Sequence, residues 1–304
     1  MNKENKDELY DRFAKVLGDA VAHAANEGLV LDRLEEFFSP KPAQLTENDT
    51  DAEKLQRRLE ALTLKLGGAP EFIVSGINDE KPKYDTYPNA AISEVLSVFH
   101  RSRRSVTRAQ MYLTGSYLLM TQPDVVNLPE DEATASLFKH NVEEVFWEHA
   151  ETAFIRLSSF WDRVGQLLDF IFFGIRQYER DGFAAVMDRI NNNILPINSE
   201  LKKSVDWFAL RKYQTSESED GFKWLLRRRN LIVHSLHLQP LVDFSADHEL
   251  FDSAYNHLEE KLINKLKPGN AEEEIARLHL HLEAAASLFH YVLNLSEQYL
   301  NSRK

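Results

Sequence analysis

The chain has 304 residues, enough for one large domain or two smaller ones with a substantial buried core. Hydrophobic residues make up 43% and charged residues 28%, which places it among globular rather than disordered chains. Cysteine is absent and the net charge is −12, so disulfides, thiolate chemistry, cysteine-based zinc sites and bulk electrostatic coating of nucleic acid all drop out.

Gly at 11 and Pro at 10 are few for this length, which favours long helices and an all-α fold. Residues 5 to 38 have a helical pattern, with Leu9, Phe13, Val16, Leu17, Ala20 and Val21 recurring and Gly28 a point of division. Pro40 and Pro42 close it. A second helix fits Asp51 to Leu66, stopped by Gly67-Gly68. Glu71 to Val74 reads as a short strand without an assignable partner. Helix resumes from Ala90 to Met120 and carries a basic spot: His100, Arg101, Arg103, Arg104 and Arg108.

Pro123 and Pro129 mark a connection, and a division at 130 separates an N-terminal helical region (1–130) from a helical bundle (131–304). Asp131 to Arg176 lacks proline and only Gly165 and Gly174 interrupt it; as one helix it would be about 70 Å long, so a bend or break is expected within it. Its apolar positions are Phe146, Phe154, Leu157, Phe160, Trp161, Val164, Leu168 and Ile171. Helices at 183–193 and 199–213 follow. The next starts with Ser216 and Glu219 in capping-box spacing and stops before Pro240. Asp247 to Leu266 and Ala271 to Asn301 complete the set, the last opening on Glu272-Glu273-Glu274 beside the positive end of the helix dipole. Met1 to Asp11 is hydrophilic, and the longest apolar run, Leu167 to Ile175, is far short of a span of roughly 20 residues. The expected setting is cytoplasmic, away from membranes.

The segment with most chemistry is Arg227-Arg228-Arg229-Asn230-Leu231-Ile232-Val233-His234. Phe222, Leu225, Leu226, Leu231, Ile232 and Leu236 form an apolar face, while Arg227, Asn230, His234 and His237 fall together on another. Arg229 lies about 140° from His234 on an ideal helix, but its long side chain could swing to the same cleft or to that of a second copy. Histidine exchanges protons near neutrality, and arginine presents a fork that matches phosphate. Such a group suits phosphodiester chemistry: histidine takes a proton from an RNA 2′-hydroxyl or gives one to the leaving oxygen, and arginine stabilises the charge that builds between them. The bland alternative is a solvated basic face with a histidine placed favourably near a helix end. His234 with His237, or His279 with Glu283, would make metal-ligand pairs, but neither has an obvious third ligand nearby, so no metal or other cofactor is expected.

Arg229-Asn230-Leu231-Ile232-Val233-His234 resembles the motif of the HEPN superfamily, in which an arginine, often followed by a polar residue, precedes a histidine late in a helix. Phe154 to Asp162 resembles the first long helix of such bundles. The resemblance implies a homodimer with Arg229 and His234 of both subunits across a two-fold axis, and a metal-independent RNA endonuclease of the kind found in toxin–antitoxin and phage-defence systems. On this reading catalysis falls to Arg229, Asn230 and His234, with Arg227, Arg228 and His237 as second-line candidates for substrate binding, and the partners are RNA and a possible antitoxin or regulatory protein. Two other readings stay open: a non-catalytic helical module binding a nucleotide, RNA or protein, and a structural protein whose basic helix meets an acidic partner.

Overall fold

The computed structural model describes residues 3–38, 55, 57–62, 65, 73–74, 87–122, 131–176, 182–234 and 269–302. These form α1 (Lys3–Phe38), β1 (Ile73–Val74), α2 (Tyr87–Thr121), α3 (Glu132–Phe173), β2 (Ile175–Arg176), α4 (Phe183–Asn193), α5 (Ser199–Lys202), α6 (Val205–Thr215), α7 (Phe222–His234) and α8 (Ala271–Ser302). The fold class is all-α as expected. The helix expected at Asp247 to Leu266 lies outside the described residues.

The axis of the fold is α3, which meets α2, α4, α7 and α8. It shows no break: its 42 residues form one helix, about 63 Å long at 1.5 Å per residue. The apolar positions picked from its sequence are all buried, with Phe154, Leu157, Phe160, Trp161, Val164 and Leu168 at 0% exposure. The expected interruption at Gly165 has another purpose. A Cβ there would lie 2.7 Å from the backbone nitrogen of Phe183 and 2.8 Å from its Cα, so the missing side chain lets the start of α4 press against α3. Gly174, with φ of 66°, is the residue that ends α3, in the left-handed conformation common after a helix. Gly165→Ala should therefore force α4 outward and cost about 1–3 kcal/mol by overpacking. A melting temperature equal to the parent's would contradict the close approach.

Aromatic rings fill the centre. Trp161 lies 4.8 Å from Phe183 and 4.7 Å from Tyr213, and Phe160 reaches Phe289 on α8 at 6.1 Å. Near the far end of α8, Tyr299 stacks on Phe172 at 4.2 Å and donates its hydroxyl hydrogen to the Phe172 carbonyl. The same core takes in Val95 and Phe99 of α2 together with Leu55, Leu59 and Leu62, so it runs unbroken across position 130. Arg58, in the helical segment with those leucines, donates to Glu297 (2.9 Å) and Asn294 (2.7 Å) of α8.

Other local expectations changed. The strand at Ile73–Val74 has a parallel partner in Ile175–Arg176, a two-residue segment too short to show any periodicity. The helix expected over 199–213 is two, because Ser204 is extended (φ −65°, ψ 129°) and restarts the chain as the cap of α6. Gly28 does not divide α1. Leu17 and Val21, part of its apolar pattern, are 54% and 62% exposed.

Candidate functional site

The basic run lies on α7, which packs on α3 and α6. Phe222, Trp224, Leu225 and Leu231 turn inward, and Leu226 and Ile232 rest partly buried against the core. The helix does not open with the Ser216/Glu219 box. Ser216 accepts the amide of Ser218 within a tight turn, and its carbonyl accepts the amide of Lys223. Glu219 instead faces Arg277 of α8. Gly221 is required here, since a Cβ would lie 2.5 Å from the Ser216 carbonyl.

The three arginines have three different surroundings. Arg227 is half-exposed and pairs with Glu217 at 3.3 Å. That carboxylate also pairs with Lys223, and the two cations hold its pKa below the ordinary range. Arg228 is wholly buried and does not face a solvent-borne substrate. It forms an ion pair with the equally buried Glu274, its guanidinium 5.7 Å above the Phe154 ring and 5.4 Å above that of Trp224. The opening acidic run of α8 is thus split by burial: Glu274 turns inward, also accepting from Arg277 (2.6 Å) and the Gly269 amide (2.9 Å), while Asn270 caps the helix through Glu273.

Arg229 is partly exposed and donates to the Asn230 side chain at 2.9 Å. Asn230 is exposed, and His234 is the last residue of α7. His237 lies outside the described residues. The helix therefore brings Arg229 and Asn230 together, sends Arg227 to Glu217 and buries Arg228.

One acidic residue near this site escaped the sequence reading. Asp162 of α3 is half-buried, and burial raises its pKa, while the charges of Arg229 and Arg163 pull it down. The signal was a lone carboxylate beside Phe160 and Trp161, in the segment that resembles a bundle's first helix, but nothing in the sequence said that it would come within electrostatic reach of Arg229. It lies close to the start of α4: a Cβ on Gly182 would sit 3.0 Å from its Oδ1.

Two histidines of α8 have internal roles. His281 is fully buried and stacks on Trp224 at 5.3 Å; burial takes its pKa down to about 4, leaving it neutral at physiological pH. His279 contacts Gln110 of α2 at 3.2 Å, and burial lowers its pKa too. Among the described residues no three His, Asp or Glu side chains gather as a metal-binding group, and no helix is long and apolar enough to cross a membrane. A groove of about 450 Å³ between α6 and α8 is lined by Lys212, Ser216, Asp220 and Glu283, and by none of residues 227–234. No known protein family, curated protein or solved structure matches the chain.

Proposed function

We propose that the protein is a metal-independent RNA endonuclease of HEPN type that works as a homodimer in the cytoplasm. The observation that carries this reading is the joining of Arg229 and Asn230 by a hydrogen bond at the accessible end of the helix that His234 closes. One His234 accepts the proton of an RNA 2′-hydroxyl as that oxygen attacks the adjacent phosphorus. The bond from phosphorus to the 5′-oxygen breaks, and the partner's His234 gives that oxygen a proton. Arg229 stabilises the charge on the phosphoryl oxygens, Asn230 positions the group, and Asp162 supplies a counter-charge within electrostatic reach of Arg229. Arg227 and His237 meet flanking phosphates. A toxin-like or phage-defence role would add an antitoxin or regulatory partner.

The test is cleavage of end-labelled RNA in EDTA, with sedimentation at micromolar protein. Persistent cleavage to 2′,3′-cyclic phosphate ends by a symmetric dimer is expected. Activity lost in EDTA and restored by a divalent ion would move the chemistry to another site. A monomer, with and without RNA, would remove the composite site. RNA binding without cleavage would leave the non-catalytic module.

A further inference from the structure

The basic spot on α2 is covered by the acidic side of α1. Arg108 donates to Glu27 at 2.6 Å, Arg104 to Asp32 and to the Gly28 carbonyl, and Arg103 to Glu35 at 2.5 Å. The pairs run in opposite directions along the two helices, so α1 lies antiparallel on α2. Little else among the described side chains holds it there. Leu31 is the one buried side chain among those described in α1, and its described side chains from residue 14 to 26 are all exposed. Among its described residues, α1 is thus attached between Glu27 and Glu35, chiefly by partly exposed ion pairs, an interaction that salt screens.

The surface beneath keeps positive charge even with α1 in place. Arg101 is exposed, and Arg156 of α3 donates to the Ser105 hydroxyl (2.5 Å) and the Arg101 carbonyl (3.3 Å) rather than to a carboxylate. Burial, followed by the charges of Arg108 and Arg101, lowers the Arg156 pKa. Arg101, Arg104 and Arg108 stand at i, i+3 and i+7 on α2, a line of forked donors about 10 Å long with Arg156 beside it.

We infer that Arg101, Arg103, Arg104, Arg108 and Arg156 form a binding surface for the phosphate backbone of single-stranded RNA, and that Glu27, Asp32 and Glu35 of α1 occupy it as an intramolecular competitor. The identity of the polyanion rests on the ribonuclease reading; the competition does not. In a chain of net charge −12, an uncovered arginine line is the local exception that gives RNA a place to land. The strap then makes binding conditional on displacing α1.

The experiment measures binding of a 20-nucleotide 2′-O-methyl RNA, which lacks the attacking hydroxyl, across a salt series. The variant E27Q/D32N/E35Q frees three arginines. It should bind about tenfold more tightly at low salt, with the log–log salt slope steeper by about 2, from roughly 0.7 per phosphate contact on single strands. Adding R103A/R104A/R108A should remove both gains. Unchanged affinity and slope in a folded triple variant would overturn the strap, as would a gain that survives the arginine removal. Equal competition by a polyglutamate 20-mer would reassign the surface to an acidic protein and overturn the RNA proposal. Should the triple variant unfold, E27Q and E35Q singly carry the same test with smaller slope changes. A gain in binding by a protein that does not cut ordinary RNA would leave the strap standing and remove the ribonuclease; cutting by the parent without any gain would do the reverse.

Discussion

Glu274→Ala should lower the stability of the fold by about 3–5 kcal/mol, the range for breaking a buried ion pair from one side. Arg228 and Glu274 are both at 0% exposure, so the substitution removes the Glu274 charge from beside a guanidinium that stays inside the protein. Arginine cannot escape by losing its proton. The rings of Phe154 and Trp224 beside it supply only weak compensation for a full charge. Glu274 also accepts from Arg277 and from the Gly269 amide, so the start of α8 loosens at the same time. Glu274→Gln retains an acceptor and should fall between parent and alanine variant. The double variant Arg228→Met with Glu274→Leu should regain much of the loss, because a buried pair replaced by apolar groups of similar size is often neutral. Urea denaturation measures all three. A Glu274→Ala protein as stable as the parent would mean that Arg228 is not held in the interior.

That pair also shows where sequence reading stops. The helices around it were legible because their signals are local: 183–193 follows from its apolar spacing, and the positions chosen along α3 are the ones that meet the core. Local signals do not say which of three consecutive arginines faces inward. Successive residues on a helix turn by about 100°, so Arg227, Arg228 and Arg229 had to diverge, but only the position of α8 makes Arg228 the buried one. Gly165 was misjudged for a similar reason. A glycine inside a helix marks a weak point by propensity, whereas here it admits the backbone of a distant segment. The basic spot on α2 was visible, but its pairing with the acids of α1 spans 68 to 81 positions and left no trace in spacing. Asp162 belongs with these, since its meaning depends on Arg229, 67 residues later by position.

His234→Ala should reduce RNA cleavage by a factor of about 10²–10⁴ while leaving the melting temperature close to the parent's. The residue is the last of α7, and the catalytic reading makes it a solvent-accessible group rather than a part of the core. Arg229→Ala should do comparable damage, because it withdraws charge from the transition state; Arg229→Lys should recover only part, since an ammonium lacks the planar fork. Arg227→Ala should act mainly on affinity, decreasing the salt slope by about 0.7 for one lost phosphate contact. Arg228→Ala is the internal control. Its activity should fall together with stability, because that side chain is buried against Glu274 and the aromatic rings. The pattern separates two explanations that a single variant would confuse. If Arg229 and His234 serve chemistry, their variants lose rate at unchanged stability; if they serve the fold, they follow Arg228. Asp162→Asn sharpens the comparison: as a positioning residue for Arg229 it should lower the rate in the parent but change little once Arg229 is alanine. A folded His234→Ala protein that cleaves RNA at the parent's rate would remove the catalytic assignment, whatever the strap on α2 does.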